Sequence, residues 1–213
     1  MSKIICFDVN GTLVEENSWG IFTNGDKIIE KEIEEIFNGY YSGKTLLDDA
    51  WDLLVKVLKR TGRANKDFIC NCWGENNFLK DGAEEVINYL KEKGYKIYLI
   101  SCSIDAYLEG MARKLLLDGF YAGSHLIFND SGELEKITSD CVKGKGYKKE
   151  KLKELADKEK VTIEDIIFVG DGDNDIGVFE MTKHGIAIGD QNEKLLSCSW
   201  KQIKSLIEIK NIL

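Results

Sequence analysis

The stretch that decides the fold is Ile4 to Leu13, which reads Ile-Ile-Cys-Phe-Asp-Val-Asn-Gly-Thr-Leu. Four apolar residues run directly into Asp8, so the pattern predicts a buried β-strand with a carboxylate at its carboxyl end. In open α/β sheets, ligands bind in the crevice outside the carboxyl ends of the strands. We therefore expect a functional site at Asp8.

Later stretches repeat this arrangement of an apolar strand followed by polar groups. Lys96 to Ile100 runs into Ser101, and Ile166 to Val169 runs into Gly-Asp-Gly-Asp-Asn-Asp, which ends at Asp175. From Asp81 onward, helical and strand patterns alternate, which predicts an α/β protein with a doubly wound, parallel, Rossmann-like sheet. The other predicted strands are Leu126 to Phe128 with a hairpin arm at Glu133 to Thr138, and Gly185 to Ile188; the predicted helices are Ala83 to Lys93, Asp105 to Leu117, Glu150 to Lys160 and Glu193 to Ile209.

About sixty residues between the first two strands show only helical patterns. The predicted helices there are Asp26 to Phe37, Thr45 to Arg60 and Lys66 to Trp73. Several successive helices do not make a direct crossover to the next parallel strand, so we expect an inserted helical cap. The predicted domains are a core of residues 1–14 and 80–213 and a cap of residues 15–79.

Composition limits the class of protein. The 213 residues carry a net charge of −8, which argues against a nucleic-acid surface, since binding the nucleic-acid backbone needs clustered lysine and arginine. No apolar run approaches the roughly 20 residues of a membrane span. The sequence enters the first strand at once, with no room for a signal peptide, so we expect a cytoplasmic protein.

The cysteines show no metal-binding or redox spacing. None of the six forms a Cys-x-x-Cys pair, and several lie inside apolar patterns. We therefore expect reduced thiols rather than disulfides or zinc ligands. They are Cys6, Cys70, Cys72, Cys102, Cys141 and Cys198.

The strand ends bring carboxylates together. Asp8, Asp171 and Asp175 would repel one another unless a cation neutralises them. Hard oxygen ligands with open water positions suit Mg²⁺, so the charges themselves predict a Mg²⁺ site.

Four motifs in this order resemble those of the haloacid dehalogenase superfamily. They are Asp8-x-Asn10-Gly11-Thr12-Leu13, the strand ending in Ser101, Lys148 before a helix, and Gly170-Asp171-Gly172-Asp173-Asn174-Asp175. The helical insertion resembles the cap of the phosphoserine-phosphatase-like branch. The resemblance implies a Mg²⁺-dependent phosphatase that acts on a small phosphorylated metabolite through an aspartyl-phosphate intermediate.

The resemblance also assigns roles to residues. Asp8 is the expected nucleophile. Mg²⁺ would be held by Asp8, the backbone carbonyl of Asn10 and Asp171, with Asp175 behind them. The groups expected to bind phosphoryl oxygens are Asp8, Thr12, Ser101 and Lys148, although Lys143, Lys145 and Lys149 are alternatives to Lys148.

Asn10 departs from the pattern. Phosphatases of this superfamily have Asp there, acting as general acid and then as general base, and an amide can do neither. Three explanations stay open: an engineered substitution that traps a substrate complex, a natural enzyme with another acid–base group, or a natural phosphometabolite-binding or regulatory protein. A phosphotransferase is a further alternative. Turnover should be severely weakened, whereas binding of phosphate and Mg²⁺ need not be.

The chain also departs from the phosphoserine phosphatases at three further positions. Phosphoserine phosphatases typically have a Glu shortly after the first motif, an Arg in the cap and Ser-Gly-Gly at the second motif. This chain has Asn17 with Glu16 beside it, no Arg at the cap position, and Ser101-Cys102-Ser103. These departures disfavour phosphoserine. We expect Trp51 to pack in the core rather than line a substrate pocket, and the oligomeric state stays open.

Overall fold

The computed structural model describes residues 3–15, 20–69, 79–141, 146–189 and 193–213. In these ranges the strands form one seven-stranded sheet with the order β4-β3-β2-β1-β5-β6-β7. Neighbouring strands are parallel except for β4, which is antiparallel to β3. The strands are β1 (Lys3–Phe7), β2 (Tyr95–Ile104), β3 (Gly119–Phe128), β4 (Leu134–Ser139), β5 (Ile166–Gly170), β6 (Gly185–Ile188) and β7 (Lys201–Ile203).

Helices connect the strands. The α-helices are α1 (Gly20–Thr23), α2 (Lys27–Tyr41), α3 (Leu47–Arg60), α4 (Ala83–Glu92), α5 (Asp105–Lys114), α6 (Tyr147–Glu159), α7 (Ile176–Thr182) and α8 (Glu193–Cys198), with a helical turn at 66–69 and 3-10 helices at Ile163–Asp165, Asp173–Asp175 and Leu206–Asn211. Among the described residues, no helix is both long enough and apolar enough to cross a membrane.

The central strand β1 is buried on both of its faces. Ile5 and Phe7 belong to one core cluster, which α4 and α5 also supply, whereas Ile4 and Cys6 belong to a second cluster supplied by α6 and α7. Successive side chains of a strand point to opposite faces, so a continuous apolar run is what a strand covered on both sides requires. The predicted α/β, doubly wound fold is confirmed.

The helical segment after β1 packs on itself and on the sheet edge. Asp26 caps α2, because its Oδ1 accepts hydrogen bonds from the backbone N–H groups of Ile28 and Ile29. The helix α3 packs against β4. Two backbone hydrogen bonds reinforce this junction: Lys66 N–H donates to Gly132 O at 2.9 Å, and Leu134 N–H donates to Ala64 O at 2.8 Å.

The structure corrects two predicted elements. The third strand begins at Gly119 rather than at Leu126, because residues 119–124 pair in parallel with β2. The predicted helix from Glu193 to Ile209 is wrong: α8 ends at Cys198, and Trp200 N–H donates to Gly185 O at 2.7 Å, which directs the chain alongside β6 as β7. The rest of the helix predicted to reach Trp73 lies outside the described residues.

The prediction of reduced thiols is wrong for one pair of cysteines. Cys102 and Cys141 form a disulfide although they are 39 residues apart, because the antiparallel strand β4 returns the chain along β3, the neighbour of β2. Their sequence spacing carried no sign of this pairing. Cys6 and Cys198 are free thiols, and Cys70 and Cys72 lie outside the described residues.

Candidate active site

The site begins at Asp8, directly after β1. Its backbone N–H donates to Val169 O on β5 at 2.9 Å, and its side chain is buried. The strands β2 and β5 lie on either side of β1, so the sheet order reverses at this strand. A doubly wound sheet opens a ligand crevice at such a point, which places Asp8 where substrate binding is expected.

Lys148 joins two of the carboxylates. Its Nζ lies 2.9 Å from Asp8 Oδ2 and 2.6 Å from Asp175 Oδ1. The lysine side chain is 3% exposed. Burial alone would lower the pKa of Lys148, but the two carboxylates override it and raise the pKa above its usual value. The ammonium therefore stays charged and fixes the position of Asp8.

The loop after β5 supplies the other two carboxylates. Asp175 Oδ2 accepts hydrogen bonds from the backbone N–H groups of Asp171 at 3.1 Å and Gly172 at 3.0 Å. Burial raises the pKa of Asp171, and the charge of Asp8 raises it further. A Cβ added to Gly170 would lie 2.5 Å from Asp175 Cγ, so glycine is needed for this close approach.

The turn after β1 packs against Asp171. Thr12 is fully buried, and its Oγ1 donates a hydrogen bond to Asp171 Oδ1 at 2.9 Å. Gly11 has φ +78°, and a Cβ there would lie 2.1 Å from Asp171 Oδ2. Both the backbone conformation and the packing therefore exclude a side chain at position 11. Lys80, which the sequence analysis missed, donates from Nζ to Gly11 O at 2.5 Å.

The three carboxylates fit a divalent cation. One oxygen from each of Asp8, Asp171 and Asp175 lies within 4.8 Å of the others. Asp8 Oδ1 is buried and has no hydrogen-bond partner among the described residues. A buried carboxylate oxygen without a donor is costly unless a bound ligand satisfies it, and hard oxygen donors suit Mg²⁺.

A cavity of about 350 Å³ opens over these groups. Its inner end contains Asp8, Asn10, Ser101 and Asp171. Asn10 Oδ1 is buried and, like Asp8 Oδ1, has no hydrogen-bond partner in the described part of the chain. The cavity is also lined by Phe37, Tyr40, Tyr41, Leu47, Trp51, Cys102, Ser103, Ser124, Ser139, Cys141, Gly172 and Asn174.

The residues predicted from the sequence thus gather at one edge of the sheet. Direct contacts join Asp8, Lys148 and Asp175, while Thr12 contacts Asp171. Asn10 and Ser101 line the cavity beside Asp8. Of the alternative lysines, Lys149 lies against Gly177 on α7, and Lys143 and Lys145 lie outside the described residues.

A hydrogen bond within β2 and a disulfide fix the position of Ser101 and its neighbours near the end of this strand. Ser101 Oγ accepts a hydrogen bond from the backbone N–H of Ser103 at 3.3 Å. The disulfide of Cys102 and Cys141 also lines the cavity. A Cβ on Gly123 of β3 would lie 2.3 Å from Cys141 Sγ. The disulfide therefore passes over β3 at a position where glycine leaves room for it.

Changing both Cys102 and Cys141 to Ser should lower the free energy of unfolding. The disulfide closes a ring across 39 residues, and the released chain entropy corresponds to about 2–4 kcal/mol. Urea unfolding without a reductant measures the loss, and Cys198→Ser is the matched control because Cys198 is a free thiol. An unfolding midpoint equal to that of the control would contradict a stabilising disulfide.

Comparison with known proteins agrees with this geometry. Residues 2–180 match the family model described as haloacid dehalogenase-like hydrolase. A phosphoserine phosphatase of Methanocaldococcus jannaschii is 29% identical over 191 residues, which are 87% of this chain and 84% of that protein. A phosphoserine phosphatase of Lactococcus lactis subsp. lactis is 30% identical over 185 residues, 86% of this chain and 82% of that protein.

Solved structures extend the similarity to the whole fold. A phosphoserine phosphatase in its apo form matches with a TM-score of 0.75 at 26% identity and covers 100% of both chains. A substrate-bound phosphoserine phosphatase complex matches with a TM-score of 0.74 at 26% identity and covers 100% of this chain and 99% of that one. The chain therefore belongs to the haloacid dehalogenase-like hydrolases, as a phosphatase-type member of their phosphoserine-phosphatase-like branch.

Proposed function

We propose that this protein is a Mg²⁺-dependent phosphomonoesterase of a small phosphorylated metabolite, with Asp8 as the nucleophile and with turnover lowered by Asn10. The observation that carries the proposal is the state of the Asp8 carboxylate. Lys148 holds its Oδ2 at 2.9 Å, while its Oδ1 is buried without a partner among the described residues. The ammonium thus fixes Oδ2, while no described protein group occupies Oδ1, which leaves the carboxylate able to bind a ligand and to attack phosphorus.

The proposed metal ligands are Asp8, the backbone carbonyl of Asn10 and Asp171. Asp175 would position these ligands rather than bind the ion itself, because both its oxygens already accept hydrogen bonds. When bound, Mg²⁺ would neutralise the clustered carboxylates and stabilise the negative charge of the phosphoryl group.

The remaining roles concern the phosphoryl oxygens. Lys148 and Ser101 are proposed to bind them, the first as a buried positive charge and the second through its hydroxyl. Thr12 is proposed to do the same, although its hydroxyl donates to Asp171 in this structure and would have to exchange that partner for phosphate.

The proposed reaction has two steps. The Asp8 carboxylate attacks phosphorus and forms an aspartyl-phosphate as the alcohol leaves; water then attacks this intermediate and restores the carboxylate. The departing alcohol needs a proton, and the attacking water must lose one. Asn10 lines the cavity beside Asp8 but can supply neither transfer, so both steps are slow.

The helical segment completes the proposal. We propose that residues 15–79 act as a cap on a core of residues 1–14 and 80–213. Support comes from the cavity, whose inner end is formed by strand ends and whose outer wall is formed by α2 and α3.

A second candidate is a phosphometabolite-binding or regulatory protein without turnover. The amide at position 10 favours it, because such a protein keeps the groups that hold phosphate and Mg²⁺ but needs no general acid. A phosphotransferase would instead deliver the phosphoryl group to an added alcohol.

The proposed function is tested by hydrolysis of p-nitrophenyl phosphate. We expect slow turnover that requires Mg²⁺ and disappears with a chelator. Asp8→Asn should abolish it, because the amide is a poor nucleophile, and Asp171→Asn should weaken Mg²⁺ binding. Turnover that survives Asp8→Asn would contradict the assignment of the nucleophile.

A further inference from the structure

The outer wall of the cavity is aromatic. It consists of Phe37, Tyr40, Tyr41 and Trp51 from α2 and α3, and we call these four residues the aromatic wall. Their rings are in contact in series, with centroid separations of 5.3 Å for Trp51 and Phe37, 6.5 Å for Phe37 and Tyr41, and 5.3 Å for Tyr41 and Tyr40. Such a surface favours flat or apolar groups.

Charged side chains are scarce around this wall. Among the described residues that line the cavity, only Asp8 and Asp171 are charged, and both lie at its inner end. The three arginines of the chain are paired elsewhere, Arg60 with Glu32, Arg63 with Asp26 and Arg113 with Glu109. A carboxylate or ammonium on the ligand would therefore lose its hydration without gaining an opposite charge from the described lining.

Two serine hydroxyls of the lining already donate to backbone carbonyls. Ser124 Oγ donates to Cys102 O at 2.9 Å, and Ser139 Oγ donates to Gly123 O at 3.1 Å. In contrast, Ser103 Oγ is buried and has no hydrogen-bond partner among the described residues. The described lining thus offers a ligand the unpartnered hydroxyl of Ser103, close to Ser101, and a broad aromatic surface.

From this lining we propose that the alcohol part of the substrate is uncharged and aromatic or apolar, and that an amino-acid ester is disfavoured. The inference rests on the proposed function, because it concerns the part of a phosphomonoester that extends beyond the phosphoryl group. The volume of about 350 Å³ lies within the range of small-molecule pockets, so the cavity has room for such a group.

Calorimetric titration with phosphonates tests the proposal without requiring turnover. Phenylphosphonate, methylphosphonate and phosphonoalanine share one head group and differ in whether the tail is aromatic, minimal or zwitterionic. With Mg²⁺ present, phenylphosphonate should bind about 10- to 100-fold more tightly than methylphosphonate, because the aromatic wall removes its ring from water. Phosphonoalanine should bind no more tightly than methylphosphonate, since its two charges find no partners in the described lining.

Substitutions in the wall locate the effect. Tyr40→Ala and Tyr41→Ala should each lower the affinity for phenylphosphonate several-fold and leave that for methylphosphonate unchanged. Tyr41 is 65% exposed, so its removal leaves the fold intact. Tyr95→Ala is the matched control, because Tyr95 lies at the amino end of β2, whereas the site lies at the carboxyl ends of the strands.

The outcomes separate the two proposals. If inorganic phosphate and all three phosphonates fail to bind with Mg²⁺, the proposed function is wrong and this inference falls with it. If methylphosphonate binds but phenylphosphonate binds no more tightly, or if phosphonoalanine binds most tightly, the proposed function stands and the inference about the alcohol part is overturned.

Discussion

Replacing Asn10 by Asp should raise turnover of p-nitrophenyl phosphate by about 10² to 10⁴. The new carboxyl group would stand beside Asp8 at the inner end of the cavity, where it could activate the water that attacks the aspartyl-phosphate. Because p-nitrophenolate leaves without a proton, the gain with this substrate comes from that second step. Asp and Asn have nearly the same shape, so the packing around position 10 should not change. Steady-state kinetics with Mg²⁺ measures the gain.

Asn174→Asp is the matched control for this gain. Asn174 lines the same cavity, so the change adds the same charge without placing an acid at position 10. If both variants gain equally, the effect is one of charge rather than of proton transfer. If Asn10→Asp gains nothing while phosphate still binds, the phosphometabolite-binding protein becomes the better explanation and an engineered trap is excluded.

Replacing Lys148 by Met should lower the free energy of unfolding by about 3–5 kcal/mol. The apolar part of the side chain would be kept, but Asp8 and Asp175 would lose the buried ammonium that lies 2.9 Å and 2.6 Å from them. Two carboxylates would then remain buried without the charge that compensates them. Urea unfolding in the absence of Mg²⁺ measures the loss.

The control for this second prediction is Lys153→Met. Lys153 is on the same helix, α6, but it is exposed, and exposed charges contribute at most about 1 kcal/mol. A loss for Lys148→Met no larger than that of the control would show that the buried ion pairs do not stabilise the fold.

The sequence predicted the sheet and the inner end of the cavity well, for a simple physical reason. A strand buried on both faces is an uninterrupted apolar run, and its polar successor must lie at the edge of the sheet. Asp8, Ser101 and Asp171 each follow such a run, so their proximity could be inferred without coordinates. Lys148 had competing neighbours in the sequence, and the structure places it against Asp8.

The parts that were missed depend on contacts between distant segments. The strand β7 lies beside β6 and has only three residues. Three residues are too few for the alternating apolar pattern that distinguishes a strand from a helix. The pairing of Cys102 with Cys141 depends on the path of β3 and β4, which no local pattern reveals. Trp51 is buried in the core, as predicted, yet it also lines the cavity, because one ring can serve both roles.

The disulfide has a consequence for the integrity of the chain. Between Cys102 and Cys141 the backbone passes through α5, β3 and β4 and around an exposed turn at Asp130 and Ser131. The bond closes this whole segment into a covalent loop. A protease that cuts the exposed turn would therefore open the backbone without releasing a fragment, and the strand end that carries Ser101 would remain linked to the segment that leads to Lys148.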